Sequence, residues 1–241
     1  MKAIVLAGGK GTRLLPYTIV VPKPMLPIND VPIIEIIVRQ LKHFGYDEVI
    51  VSLGHLSGVI AHFLESKKEE PGMPIFSFFT ESKPLGTSGP IKAINPTSED
   101  FLVINGDILT TINFTELMKK HKESGAILTI GARKTSYELP LGSLKLDNKG
   151  FVVEFNEKPK LDFIDNIGVY IYSKKVLDYI KDDENIDVNV LTHRLLQQGE
   201  KVFAFREDGP YFWIDIGTHA DYSKANEEFS KIQSLFPFLE R

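Results

Sequence analysis

The sequence predicts an α/β fold: a Rossmann-like, three-layer arrangement around a mixed, mostly parallel sheet. Two observations predict it. Through residue 133, short β-branched apolar runs alternate with helical stretches, the rhythm of right-handed strand–helix–strand crossovers. Beyond residue 133 the pattern changes, and alternating segments flank Asn148-Lys149-Gly150, which reads as a β-hairpin. The 241 residues suit one large domain over 1–241, with halves at 1–133 and 134–230 and a core of ordinary size. With 43% hydrophobic and 25% charged residues, the composition is that of a soluble globular chain and excludes disorder, collagen and a pure coiled coil. The net charge of -4 argues against sequence-independent nucleic-acid binding. Cysteine is absent, which excludes disulfides, thiolate metal sites and a cysteine nucleophile, and fits a cytoplasmic location. No run approaches the ~18 apolar residues of a membrane span, and the apolar run at the N-terminus is too short for a signal peptide.

In chain order, residues 2–6 form a buried strand that stops at glycines. A Gly-rich loop (7–16) and a segment broken by Pro22, Pro24, Pro27 and Pro32 follow. Residues 33–44 have helical spacing and end at Gly45, a C-cap signal. Strands at 48–53, 74–79, 101–105 and 126–132 alternate with helices at 55–65, 88–94 and 113–123, the last with Asn113 as its N-cap. In the second half, hairpin strands (143–147, 151–155) precede a strand at 165–172. Helices at 174–180 and 188–197, strands at 201–205 and 211–214 and a closing helix at 219–229 complete the order. Ligands of open α/β sheets sit beyond the carboxyl ends of the strands. Chemistry is therefore expected in the loops after 2–6, 74–79 and 101–105.

The first of these loops, Gly8-Gly9-Lys10-Gly11-Thr12-Arg13, has three glycines in four positions, which let backbone N–H groups approach a ligand and bind phosphate oxygens as a nest. It is neither a Walker A loop nor a G-x-G-x-x-G dinucleotide loop. Arg13 adds a bidentate cation suited to phosphate. In Pro22-Lys23-Pro24 two prolines stiffen the backbone around one lysine. Alone, each feature also reads as a tight turn or an exposed cation.

These residues resemble a known family. Leu6-Ala7-Gly8-Gly9-x-Gly11-Thr12-Arg13-Leu14, followed by Pro22-Lys23-Pro24-Met25-Leu26-Pro27, is similar to the signature of sugar-1-phosphate nucleotidylyltransferases. The resemblance continues through Pro84-Leu85-Gly86-Thr87-Ser88-Gly89, Asn105-Gly106-Asp107, Glu157-Lys158-Pro159, Asn166-x-Gly168-x-Tyr170 and Trp213-x-Asp215-x-Gly217-Thr218, over essentially the whole chain. The Pro-Leu-Gly-Thr block and the closing block look most like mannose-1-phosphate guanylyltransferases, and the length is similar to the heptose-1-phosphate branch. The resemblance implies the nucleotide-diphospho-sugar transferase fold, with 1–133 mainly nucleotide-binding and 134–230 mainly sugar-phosphate-binding. No room for a C-terminal β-helix domain is expected after residue 229.

The implied reaction joins a nucleoside triphosphate to a sugar 1-phosphate and releases pyrophosphate. The attacking phosphate oxygen is already anionic, so positioning and charge neutralisation are what the protein must supply. Mg²⁺ is the implied cofactor, held by Asp107 and Asp215. An Asp capping a turn or helix is the ordinary alternative, and Asp215 stands near a helix start at Thr218. The resemblance also implies that Leu6, Ala7, Gly8, Gly9, Gly11, Thr12 and Arg13 hold the nucleotide, with Gly86 and Thr87. Lys23 meets the α-phosphate or the sugar phosphate, and Lys158 neutralises the sugar phosphate. Gly142, Glu157, Asn166 and Gly168 surround the sugar, although Leu141-Gly142 departs from the family's frequent Tyr-Gly.

Guanine presents two neighbouring donors that a carboxylate accepts bidentately. Glu81 stands where pyrimidine-using relatives typically have Gln, so GTP is the expected triphosphate and a manno-configured sugar 1-phosphate the expected acceptor. The rivals are thymidylyl or cytidylyl transfer to glucose 1-phosphate, and a non-catalytic paralogue that binds nucleotide sugar. A terminal apolar patch, Phe236-Pro237-Phe238, is expected to dock either on the domain or on a second subunit as a homodimer.

Overall fold

The structure, a computed structural model, describes residues 1–207 and 209–239. In chain order it contains β1 (Lys2–Ala7), the short pair β2 (Pro27–Ile28) and β3 (Val31–Pro32), α1 (Ile33–His43), β4 (Glu48–Leu53), α2 (Ser57–Lys67), β5 (Ile75–Thr80), α3 (Gly89–Ile94), β6 (Asp100–Asn105) and β7 (Ile108–Thr110). There follow α4 (Phe114–Ser124), β8 (Leu128–Glu138), the hairpin β9 (Ser143–Leu146) and β10 (Val152–Asn156), β11 (Lys160–Ser173), α5 (Val188–Gln197), β12 (Val202–Phe205), β13 (Trp213–Asp215) and α6 (His219–Ile232). Among the described residues no helix is long and apolar enough to cross a membrane.

A seven-stranded sheet in the order β12-β8-β11-β6-β1-β4-β5 forms the middle layer. β1 pairs in parallel with β4 and β6, β4 with β5, and β8 with β12. β11 runs antiparallel to both its neighbours, β6 and β8, and makes the sheet mixed. Successive β1 residues serve opposite faces. Ala3 and Val5 join the core that holds Ile34, Phe114 and Phe229 of α1, α4 and α6, whereas Ile4 joins the one that holds Ile91, Leu191 and Leu195 of α3 and α5. Both faces are thus covered, which is why the central strands read as continuous apolar runs rather than alternating ones.

Local signals act as the sequence reading expects. Asn113 caps α4, its side-chain oxygen accepting from the amides of Thr115 and Glu116. Thr218 caps α6 in a reciprocal box with Asp221, so Asp215 is free of that task. The largest departures are β8 and β11, which run well past the predicted 126–132 and 165–172. Their outer halves pair with each other from Arg133↔Asp165 to Glu138↔Lys160. Cross-strand pairing, not burial, holds this extension, so the periodicity of a buried strand does not mark it. The predicted helix at 174–180 is a 3₁₀ segment, Lys174–Tyr179, that anchors Val176 and Leu177 before Ile180 returns to extended geometry. Phe236 is buried against Phe229, with ring centroids 5.2 Å apart. The terminal apolar patch therefore docks on its own domain.

Candidate active site

β4 and β5 lie on one side of β1 and β6 on the other, so the strand order reverses between β1 and β6. That reversal leaves a crevice at the carboxyl ends of the two strands. The Gly106 amide donates to the Leu6 carbonyl (2.8 Å), tying the two strand ends together. Above them opens a cavity of about 610 Å³ whose lining includes Gly8, Glu81, Gly86, Asn105, Asp107 and Asp187.

Of the glycines in the first loop, only Gly11 takes positive φ (63°), where a Cβ would stand 2.9 Å from Thr18 and 3.2 Å from Lys23. A side chain there would be strained and would displace the lysine. Gly9 faces open space. Gly8, Gly9 and Lys10 line the cavity, while Thr12 and Arg13 are exposed in the following turn, Thr12–Leu14. The Arg13 guanidinium packs over Gly217, about 3.3 Å from where a Cβ would be.

The prolines around Lys23 do what stiffness suggests. Lys23 and Pro24 are buried in a 3₁₀ turn, and the lysine amine is aimed into the crevice. It forms a short charge-assisted hydrogen bond with Asp107 and stands 3.9 Å from Asp215 Oδ1. Asp107 stands between β6 and β7, one residue after Gly106, and Asp215 ends β13, whose pairing with β7 through Asp215↔Ile108 brings the two acids together. The Ile216 amide donates to the Asp107 carbonyl (3.0 Å) and locks that approach. Burial pushes the Asp215 carboxyl above its ordinary value, and the Asp107 charge adds to this; Lys23 and Arg13 oppose it. The Oδ1 atoms of both aspartates are buried and, among the described residues, have no hydrogen-bond partner. Two orphaned carboxylate oxygens on acids that share one cation are donors suited to a hard divalent ion.

Glu81 follows β5 and lines the cavity. Its Oε1 accepts from Ser52 (3.2 Å) and its Oε2 from the Leu85 amide (3.0 Å). A Cβ on Gly8 would meet Oε1 at 2.6 Å, so a side chain there would have to displace the Glu81 carboxylate. Gly86 (φ 74°) leaves no room for a side chain, because a Cβ would meet the Ile186 carbonyl oxygen at 2.6 Å. The Thr87 amide and hydroxyl both donate to Asp187 Oδ1, and the hydroxyl accepts from the Val188 amide (2.9 Å). Thr87 thus staples the 84–89 loop to the start of α5.

The acceptor-side residues are less closely gathered. The Asn166 side-chain oxygen accepts from the Gly168 amide (2.9 Å), and its NH₂ donates to Tyr170 (2.8 Å). Gly168 (φ 75°) lets the chain pass Asn105, whose Nδ2 would lie 2.8 Å from a Cβ. These residues adjoin the aspartates through β6. Gly142 and Glu157 adjoin one another, the carboxylate 3.0 Å from a Cβ position on Gly142. Glu157 and Lys158 are exposed in the turn between β10 and β11, and Lys158 holds φ 44°. Among the described residues no hydrogen bond or ion pair joins them to the Lys23–Asp107–Asp215 cluster. Among the described residues Lys158 has no ion-pair partner.

Sequence reasoning missed Asp187 and His55, both in the cavity wall. Asp187 sits 100 residues from Thr87, and no local pattern joins them. It also missed the Arg133 guanidinium laid over the Trp213 ring, 3.9 Å from its centre. The two side chains come from β8 and β13, and the Trp213 indole N–H donates to the Ile167 carbonyl (2.8 Å).

The Nucleotidyl transferase family model matches residues 2–232. A UTP–glucose-1-phosphate uridylyltransferase of Synechocystis is 34% identical over 93% of this chain and 62% of its own. A probable mannose-1-phosphate guanylyltransferase of Oryza sativa is also 34% identical, over 92% of this chain and 63% of its own. The chain therefore spans less than two thirds of the length of these curated relatives. Among solved structures, HddC from Yersinia pseudotuberculosis superposes with a TM-score of 0.73 at 29% identity, covering 95% of this chain and 99% of that one.

Proposed function

Because the chain belongs to the Nucleotidyl transferase family, we propose that it transfers a nucleotidyl group from a nucleoside triphosphate to a sugar 1-phosphate, with release of pyrophosphate. The carrying observation is the buried Lys23 amine between Asp107 and Asp215 at the mouth of the crevice. Two polyanions must meet there, and catalysis is then mainly alignment and charge neutralisation. A sugar phosphate oxygen attacks the α-phosphorus, the bond from that phosphorus to the bridging oxygen breaks, and pyrophosphate leaves with the electron pair. The loop from Gly8 to Thr12 and Arg13 bind the triphosphate. Lys23 offsets charge at the α-phosphate, and Lys158 engages the acceptor phosphate from the turn between β10 and β11.

Asp107 and Asp215 would hold Mg²⁺, which when bound supplies neutralising charge to the transferring phosphoryl group. Among the described residues no group of three or more His, Asp or Glu could hold a metal by itself. Substrate phosphate oxygens and water would complete the shell, as is usual for Mg²⁺.

Within this class we favour GTP. The Ser52 hydroxyl and the Leu85 amide hold the Glu81 carboxylate in the cavity wall, and a carboxylate matches the donor edge of guanine. A manno-configured sugar is the favoured acceptor. The likeness to a glucose-1-phosphate uridylyltransferase supports pyrimidine nucleotides with glucose 1-phosphate as the second reading. Pyrophosphate release over a matrix of five triphosphates and several hexose and heptose 1-phosphates decides between them. Highest kcat/KM with GTP supports the first; highest kcat/KM with UTP or dTTP removes the role given to Glu81. No turnover with any pair, alongside retained nucleotide-sugar binding, favours the non-catalytic paralogue.

A further inference from the structure

Asp215 is held by its strand rather than by its carboxylate. Among the described residues no hydrogen bond reaches that carboxylate: its Oδ1 has no partner, and the Lys23 amine stands 3.9 Å away. Asp107, by contrast, is gripped by Lys23 through a short hydrogen bond. Where Asp215 sits therefore depends on where β13 sits. β13 has three residues and pairs with β7, and this pair joins no strand of the seven-stranded sheet. A two-stranded ribbon is marginal by itself in water, so contacts from outside the pair must fix its place.

Three such contacts come from β8 and β11, where the arm at residues 134–165 begins. The Tyr211 hydroxyl donates to the Ala132 carbonyl (3.1 Å), and the Trp213 indole N–H donates to the Ile167 carbonyl (2.8 Å). The Arg133 guanidinium lies over the Trp213 ring, 3.9 Å from its centre. Arg133 is given over to that ring. Its Nε is buried and, among the described residues, has no hydrogen-bond partner. Its ion pair with Asp165, across the strand pair, is loose at 3.7 Å. A guanidinium that forgoes hydrogen bonds while its flat face covers an indole is placed for the ring. The attraction of cation and ring strengthens as water is excluded, and the Arg133 side chain is only 32% exposed.

Trp213 and Asp215 stand two residues apart on β13, so their side chains leave the same face of the strand, and Ile214 between them is buried in the core. A shift of the indole would carry the strand, and with it the carboxylate. We infer that Arg133 is a positioning residue for the proposed transfer: it clamps Trp213 and, through β13, sets the place of Asp215 beside Asp107 and Lys23. It acts through Trp213 and not on the reacting atoms. The inference rests on the role given to Asp215 in the proposed function. Groups that orient metal-binding carboxylates from outside the donor set typically carry about 10–100-fold in metal affinity or activity.

Trp213 is the only tryptophan of the chain, so its fluorescence reads the clamp directly. The test compares the wild type with Arg133→Ala, which uncovers the ring, and Arg133→Lys, which keeps a cation over it. Lys134→Ala is the control, since Lys134 pairs with Asp162 (2.7 Å) on the opposite face of the strand pair. Far-UV circular dichroism should be the same for all, and Arg133→Gln replaces Arg133→Ala should the latter not fold. Arg133→Ala should open Trp213 to quenching by acrylamide. It should also lower kcat for pyrophosphate release by about 10–100-fold and raise half-saturating Mg²⁺, with KM for the triphosphate held. Arg133→Lys should recover most of each loss, and Lys134→Ala should match the wild type. Unchanged quenching in Arg133→Ala overturns the clamp. Increased quenching with kcat and Mg²⁺ requirement unmoved overturns its link to Asp215, as does a fall in kcat that neither excess Mg²⁺ nor Arg133→Lys relieves. Absence of turnover in the wild type sinks the proposed function and this inference together; normal wild-type turnover with an indifferent Arg133→Ala sinks this inference alone.

Discussion

The crevice at β1 and β6 and the arm at residues 134–165 differ in how their side chains are held. In the crevice, Lys23 is buried, both aspartates have a buried oxygen, and each backbone approach is fixed by a named close contact. In the arm, Glu157 and Lys158 are exposed and the strands beneath them are held by pairing alone. Groups fixed before substrate arrives stabilise a transition state without reorganising, whereas groups on an exposed turn must be ordered when the ligand binds. Substitutions in the crevice should therefore appear in kcat, and those in the arm in the acceptor's KM.

Asp107→Asn tests this contrast most severely. It should lower kcat by about 10³-fold or more, the scale of losing a metal carboxylate and its neutralising role, with circular dichroism unchanged; an unaltered rate removes Asp107 from the site. Lys158→Ala should raise KM for the sugar phosphate by about 10–100-fold at nearly constant kcat and constant nucleotide KM, the signature of lost uniform binding. A loss confined to the nucleotide would break the division between the two regions. Gly11→Ala should cost about 1–3 kcal/mol of stability, the scale of a forced left-handed residue, and weaken nucleotide binding, read by thermal melting and by KM for the triphosphate.

The smallest expected effect concerns Asp215. Its folded carboxyl titrates above the ordinary value, so the folded chain holds the proton more tightly than the unfolded one. This contribution to stability is present below the unfolded pKa and is lost as pH rises through the folded one. In metal-free protein at neutral pH, Asp215→Asn should therefore raise Tm slightly, read by thermal melting. A lower Tm would mean that the ionised carboxylate is a net structural asset beside Lys23.

The central strands were legible because both faces of the sheet are covered, and residues 2–6 and 48–53 read as short, mainly apolar runs. The caps at Asn113 and Thr218 were legible because each is satisfied within a few residues. The ends of β8 and β11 were not, since their outer halves bury no face. The Thr87–Asp187 staple was hidden because its halves are 100 residues apart.

The sequence alone determined the class of chemistry: a glycine loop, a proline-held lysine and two aspartates, ordered along strands whose carboxyl ends meet. Tertiary structure decided the distances. The pairing of β7 with β13 set Asp215 beside Asp107 and Lys23, and the strand reversal at β1 opened the cavity between them. Apolar periodicity and turn chemistry act over a few residues, whereas these approaches depend on which strand ends pair, and that is fixed by the packing of the whole sheet.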